Sequence, residues 1–191
     1  MNKILGLSLA LVMVVGLIGG ETFAYFINSE PTSNSFVSGS LTLKTNDSDG
    51  VSQTLYAASM SPGAATGPST ITLKNAGTAD GATLDIVFSY AESDGSPNTV
   101  NKSADDVAAL MEVITLTYGS SDLLGIIDDL NNNNNGYKDV YDLNNSGLTG
   151  LSGIAASATK DFIISVRLRS EAGNDFQADG IAITMTFTLK Q

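Results

Sequence analysis

The last strand-like stretch constrains the fold of this chain more than any other feature. Ile181, Ile183, Met185, Phe187 and Leu189 alternate with Ala182, Thr184, Thr186 and Thr188. A period of two puts the large apolar side chains on one face of an extended strand and the small or polar ones on the other. Such a strand is half buried in an antiparallel sheet. The same signal recurs upstream, in Leu41-Thr42-Leu43-Lys44 and in Ile71-Thr72-Leu73-Lys74-Asn75. The segments 84–90, 112–118 and 161–169 add β-branched and aromatic residues, which favour strands. In the last of these, Ile164, Val166 and Leu168 share one face, and Ser165, Arg167 and Arg169 share the other. Ala76-Gly-Thr-Ala-Asp-Gly81 is turn-rich, so Ile71 to Tyr90 reads as a pair of neighbouring strands. A second turn-bearing connection, Asp175 to Gly180, leads into the final strand.

Helix signals are sparse. Ser103 is a good N-cap, Asp105 and Asp106 follow it, and Val107, Leu110 and Met111 recur at helical spacing. The pattern predicts a short helix over Ala104 to Met111, with a second short turn or helix starting near Ser121-Asp122-Leu123-Leu124. Strands with so little helix predict an all-β jelly roll or β-sandwich carrying one or two short helices. The chain has 191 residues, enough for one domain with a sizeable core.

Composition narrows the function. There is no Cys, no His and no Trp. Disulfides, Cys-based zinc sites and peptidase motifs built on histidine are therefore excluded. A formal net charge of −11 argues against a nucleic-acid face. Paired acids such as Asp105-Asp106 and Asp128-Asp129 do not form a catalytic dyad, because neighbouring side chains diverge on a strand and do not face each other on a helix.

The N-terminus reads as an export signal that forms a helix. Lys3 supplies a positive start, Ile4 to Gly20 is apolar, and Thr22-Phe23-Ala24 places a small residue at a cleavage edge. The apolar run of about 17 residues is at the lower limit for a permanent membrane anchor, which is the rival reading. Cleavage by signal peptidase between Ala24 and Tyr25 frees a mature chain that starts Tyr25-Phe26-Ile27. The organisation expected is a signal peptide over 1–24, an N-terminal segment over 25–37 and a β-sandwich domain over 38–191.

Several segments together resemble one family. They are Glu21-Thr-Phe-Ala-Tyr-Phe26, Asn34-Ser-Phe-Val-Ser-Gly-Ser-Leu-Thr-Leu-Lys44, Met60-Ser-Pro-Gly63, Thr70-Ile-Thr-Leu-Lys-Asn-Ala-Gly77 and Gly173-Asn-Asp-Phe-Gln-Ala-Asp-Gly180. In this order they resemble the camelysin/TasA-type secreted filament proteins, which include bacterial biofilm-matrix fibre subunits and archaeal bundling-pilus subunits. The C-terminal pieces look most like the archaeal branch. The resemblance implies a jelly-roll subunit that polymerises by donor-strand exchange, the N-terminal segment of one copy filling a groove in the next. Tyr25, Phe26, Ile27, Phe36 and Val37 suit a donor strand, being apolar and poorly fitted to water. At about 3.3 Å per residue, a segment of about 13 residues is long enough to cross a sheet edge. The alternative is that residues 25–37 form the subunit's own first strand. Partners under the first reading are identical subunits in a homopolymer and neighbouring filaments. Camelysin relatives have been labelled metallopeptidases; without histidine that activity is not carried over, and the chain reads as non-enzymatic.

The most chemical-looking stretch is Asp128 to Asp142. Counted as a calcium loop from Asn131, it puts Asn133 and Asn135 at the third and fifth positions, Gly136 at the turn, the Tyr137 carbonyl seventh, Asp139 ninth and Asp142 twelfth. Only two of these ligands are carboxylates, which predicts weak, structural Ca²⁺ binding. The alternative is a solvated Asn-rich loop without an ion. Asn46, Asn101 and Asn144 head candidate N-glycosylation sequons. The function expected is a structural subunit of an extracellular filament at the cell surface. A monomeric adhesion or carbohydrate-binding module is the alternative, for which Tyr118, Tyr137 and Tyr141 are the aromatic residues available. An extracellular peptidase is the rival from the enzyme class.

Overall fold

A computed structural model describes residues 39–46, 48–49, 52–57, 60–96, 100–176 and 178–191. The signal peptide, the Ala24–Tyr25 cleavage bond and the donor segment 25–37 lie outside the described residues. The first strands are short: β1 (Leu43–Thr45), β2 (Ser48–Asp49) and β3 (Ser52–Ala57). They are followed by β4 (Ser69–Asn75), β5 (Thr83–Glu92), helix α1 (Ala104–Leu110), β6 (Met111–Tyr118) and β7 (Ser121–Asp122). A 3-10 turn (Leu124–Ile126), helix α2 (Val140–Ser146), β8 (Leu148–Ser152), β9 (Thr159–Leu168), a second 3-10 turn (Asn174–Phe176) and β10 (Ile181–Lys190) complete the order.

The strands form two antiparallel sheets, one ordered β2-β1-β4-β9-β6-β7 and one ordered β3-β10-β5-β8. Their apolar faces meet. Ile71, Leu73, Leu116, Phe162, Ile164 and Val166 come from the first sheet, and Leu84, Ile86, Phe88, Ile183, Met185 and Phe187 from the second; all are buried. The Phe162 ring packs edge-on against Phe187 at 5.6 Å and tilted against Phe88 at 6.3 Å, bridging the two layers. Full burial of each such side chain contributes about 1.5–3 kcal/mol. The alternation in β10 appears directly, with Ile181, Ile183, Met185 and Phe187 buried and the threonines turned outward. There Thr186 and Thr184 meet Ser52 and Thr54 of β3 at 3.2 and 3.4 Å.

The expected pairing of the strands around residues 71–75 and 84–90 is wrong. β4 lies in the first sheet and β5 in the second, so the connection between them arches from one layer to the other. Asn75 holds the arch. It is fully buried, donates from Nδ2 to the Ala79 and Ile154 carbonyls at 2.8 and 3.0 Å, and accepts from the Gly77 amide at 3.0 Å. A buried amide with all these partners is satisfied, where an unpaired one would cost about 1–3 kcal/mol. Two glycines allow the close approach. A Cβ on Gly77 would lie 2.0 Å from the Ser40 carbonyl oxygen, and one on Gly153 would lie 1.8 Å from that of Gly81.

Gly63 to Thr66 acts as an unrecognised strand. Its backbone exchanges hydrogen bonds of 2.8–2.9 Å with Val166 and Leu168, extending the sheet alongside β9. Both helices pack on each other and against β5 and β6. α1 starts where expected, with Ser103 and Asp106 forming a reciprocal capping box.

Candidate functional site

The Asn-rich segment folds as a tight loop that runs straight into α2. Asp129 organises its first half, accepting from the backbone amides of Asn135 at 2.9 Å and Gly136 at 3.1 Å. Gly136 has φ +86°, a left-handed turn that a glycine adopts without strain. The Asn133 and Asn135 side-chain oxygens accept from the amides two residues ahead, Asn135 at 3.2 Å and Tyr137 at 2.9 Å. Their Nδ2 groups both donate to Asp139 Oδ2, at 2.9 and 2.7 Å.

Asp139 is the N-cap of α2. Its Oδ1 accepts from the Asp142 amide at 3.0 Å, and Asp142 Oδ2 accepts in return from the Asp139 amide at 3.3 Å. Both carboxylates are fully buried, and Asp142 Oδ1 has no hydrogen-bond partner. Burial, and the neighbouring charge of Asp139, push the Asp142 carboxyl up to about 6.

Four of the six residues expected around an ion thus converge: Asn133, Asn135, Asp139 and Asp142. Asn131 does not: it is exposed and donates to Asp128 through both its backbone and its side chain. The Tyr137 ring lies under the Arg169 guanidinium at 3.8 Å, which leaves the role expected of its backbone carbonyl untouched. A helix at 140–146 was not expected, although Asp139-x-x-Asp142 followed by the apolar Leu143 is a start signal of the kind read at Ser103. That helix also takes in Asn144, a half-buried sequon residue expected in turn-like sequence. Asn46 sits in the β1–β2 turn at φ +51°, its Oδ1 accepting from the Thr72 amide at 2.9 Å. Asn101 is exposed just before α1.

The aromatic residues offered for glycan binding are unsuited to it. Tyr118 is buried and donates its hydroxyl to the Ser152 carbonyl at 2.9 Å, because its side chain falls on the core face of β6. Tyr137 has one face covered by Arg169, and Tyr141 is half buried against the core.

The sheet edges are the other recognition feature. β3 and β8 are the outer strands of the four-stranded sheet. β1 is only three residues long and pairs with Leu73 to Asn75, so among the described residues no strand lies beside Ser69 to Ile71 on that side of β4.

Compared with known families, the chain matches the camelysin metallo-endopeptidase profile over residues 1–191, its whole length. The chain belongs to the camelysin/TasA family. No curated protein matches it. The family is one of secreted or cell-surface proteins and takes in biofilm-matrix fibre subunits. Its descriptive title names a metallopeptidase, and the donor set of this member does not fit such a centre. It has no His and no Cys, the usual nitrogen and sulfur ligands of catalytic zinc. Among the described residues, no three Asp or Glu side chains converge to replace them.

Proposed function

We propose that this protein is a secreted, non-catalytic structural subunit that polymerises into an extracellular filament by strand addition between identical copies. The family match along the entire chain carries this reading. The described fold and the sequence each support it. Open strand edges present backbone N–H and C=O groups that an added strand satisfies. The segment 25–37 ahead of the sandwich supplies Tyr25, Phe26, Ile27, Phe36 and Val37, apolar residues that gain by burial on a neighbour. A contact of this head-to-tail kind does not close on itself and so propagates as a fibre. Signal cleavage after Ala24 frees that segment to act. Filaments then associate laterally in cell–cell bundles or matrix.

The test is electron microscopy of purified mature protein beside a variant lacking residues 25–37. The mature protein is expected to form fibres and the truncated one to stay as soluble particles. Fibres that persist after truncation would sink the donor role. Restored fibres on adding a peptide of residues 25–37 would not be expected either, because a detached strand caps an edge without linking two subunits.

A further inference from the structure

Asp139 and Asp142 present an unbalanced charge. Both are fully exposed to each other's field and fully buried from water. Among the described residues neither forms an ion pair, and the adjacent Lys138 turns away to the Leu124 and Ile127 carbonyls, at 2.7 and 3.1 Å. Asp139 is compensated by three hydrogens, two from side-chain amides and one from the Asp142 backbone N–H, and by none from a cation. Counted by donor, that is three groups on two oxygens, all neutral. Asp142 is worse served, since Oδ1 is buried without any partner. A buried carboxylate without a counter-charge either takes up a proton or recruits a cation.

We propose that this loop is a Ca²⁺ site, in which Asp142 Oδ1 and Asp139 Oδ2 bind the ion together with the side-chain oxygens of Asn133 and Asn135. The two amides already touch Asp139 Oδ2. Rotating each by about 180° about its terminal torsion exchanges NH₂ for C=O in nearly the same space. The exchange gives up two donors to one carboxylate, two turn hydrogen bonds and the Asn135 bond to the Ala109 carbonyl, and replaces them with oxygen–cation contacts. An all-oxygen donor set of carboxylates and amide carbonyls selects a hard cation, and its irregular arrangement favours Ca²⁺ over Mg²⁺, which demands a near-ideal octahedron. Two carboxylates place the affinity at about 10⁻⁴ to 10⁻³ M, the range of extracellular modules. The bound ion joins the loop to the first turn of α2. The site is independent of the filament reading, because it lies within a single copy of the chain.

Thermal unfolding of the purified protein, stripped with chelator and then titrated with CaCl₂ or MgCl₂ at matched ionic strength, tests this. Ten millimolar calcium is expected to raise Tm by about 3–10 °C and magnesium by much less. In Asp142→Asn the buried charge is gone, so the cation-free Tm should equal or exceed that of the wild type while the calcium response is lost. Asn135 is exposed, so Asn135→Ala should fold, with the calcium midpoint raised about tenfold. A merely structural Asp142 would give the opposite pattern, a lower Tm with the calcium response kept. The proposal is overturned by a wild-type Tm indifferent to calcium, or by a response undiminished in both variants.

Discussion

Tyr118 shows how one side chain's surroundings set its chemistry. An aromatic residue in sequence terms available for binding, it is 3% exposed and its hydroxyl is committed to the Ser152 carbonyl. Burial pushes its phenol up to about 12. A folded-state value above the unfolded one means that the native state holds the proton more tightly. The stabilisation is complete below about pH 10 and is lost as pH rises towards 12. Urea unfolding at pH 8 and pH 11 should therefore show a loss at the higher pH that Tyr118→Phe reduces by roughly 1 kcal/mol, the Tyr90 phenol, also held up by burial and by Asp105, keeping a share of it in the variant. An equal loss in the variant would assign the alkaline sensitivity elsewhere. Whether a tyrosine on a strand faces the core follows from register, and only the strand's neighbours settle register. The same limit applies to Asp139 and Asp142. Their spacing identified them as oxygen donors, but their burial and mutual capping depend on a helix that the reading of the loop overlooked.

At the level of elements, long strands with a clear period were legible and short ones were not. β4, β5, β6, β9 and β10 all fall where alternation or β-branched residues placed them. β3, with Leu55 and Ala57, and β8, Leu-Thr-Gly-Leu-Ser, are too short for period two to rise above chance. The Gly63–Thr66 segment carries no strand signal at all and pairs because β9 offers it an edge. The wrong pairing of β4 with β5 has a similar cause. A turn-rich connection looks alike whether it closes a hairpin or crosses between layers. What makes it cross is Asn75, whose partners at Ile154 and Ala158 lie far along the chain. The arch meets the 153–158 loop where Gly153 approaches Gly81. Gly153→Ala should cost about 1–3 kcal/mol or more, since the new methyl would meet backbone that has no easy retreat. Gly67→Ala, with nothing within 4 Å of its Cβ, should stay within about 0.5 kcal/mol. Chemical denaturation of the two variants measures the contrast, and equal costs would refute the close-approach argument.

For the whole molecule, net charge governs how copies meet. At −11, copies of the chain repel one another over a distance that salt shortens, from about 30 Å at 0.01 M to about 10 Å at 0.1 M. Under the assembly proposed above, filament growth followed by light scattering, with chelator present, should accelerate several-fold from 10 mM to 150 mM NaCl; a rate that falls with salt would point to attractive charge pairs at the contact. Sequence alone determined the fold class, the absence of histidine chemistry and the identity of the acidic loop. These follow from local pattern and composition, which a chain carries wherever its parts end up. Tertiary structure alone decided which strands share a sheet, which edges lie open among the described residues, that Tyr118 is core, and that two aspartates are buried side by side with one oxygen unpartnered. Each of those depends on contacts between residues distant in sequence, and no local periodicity encodes them.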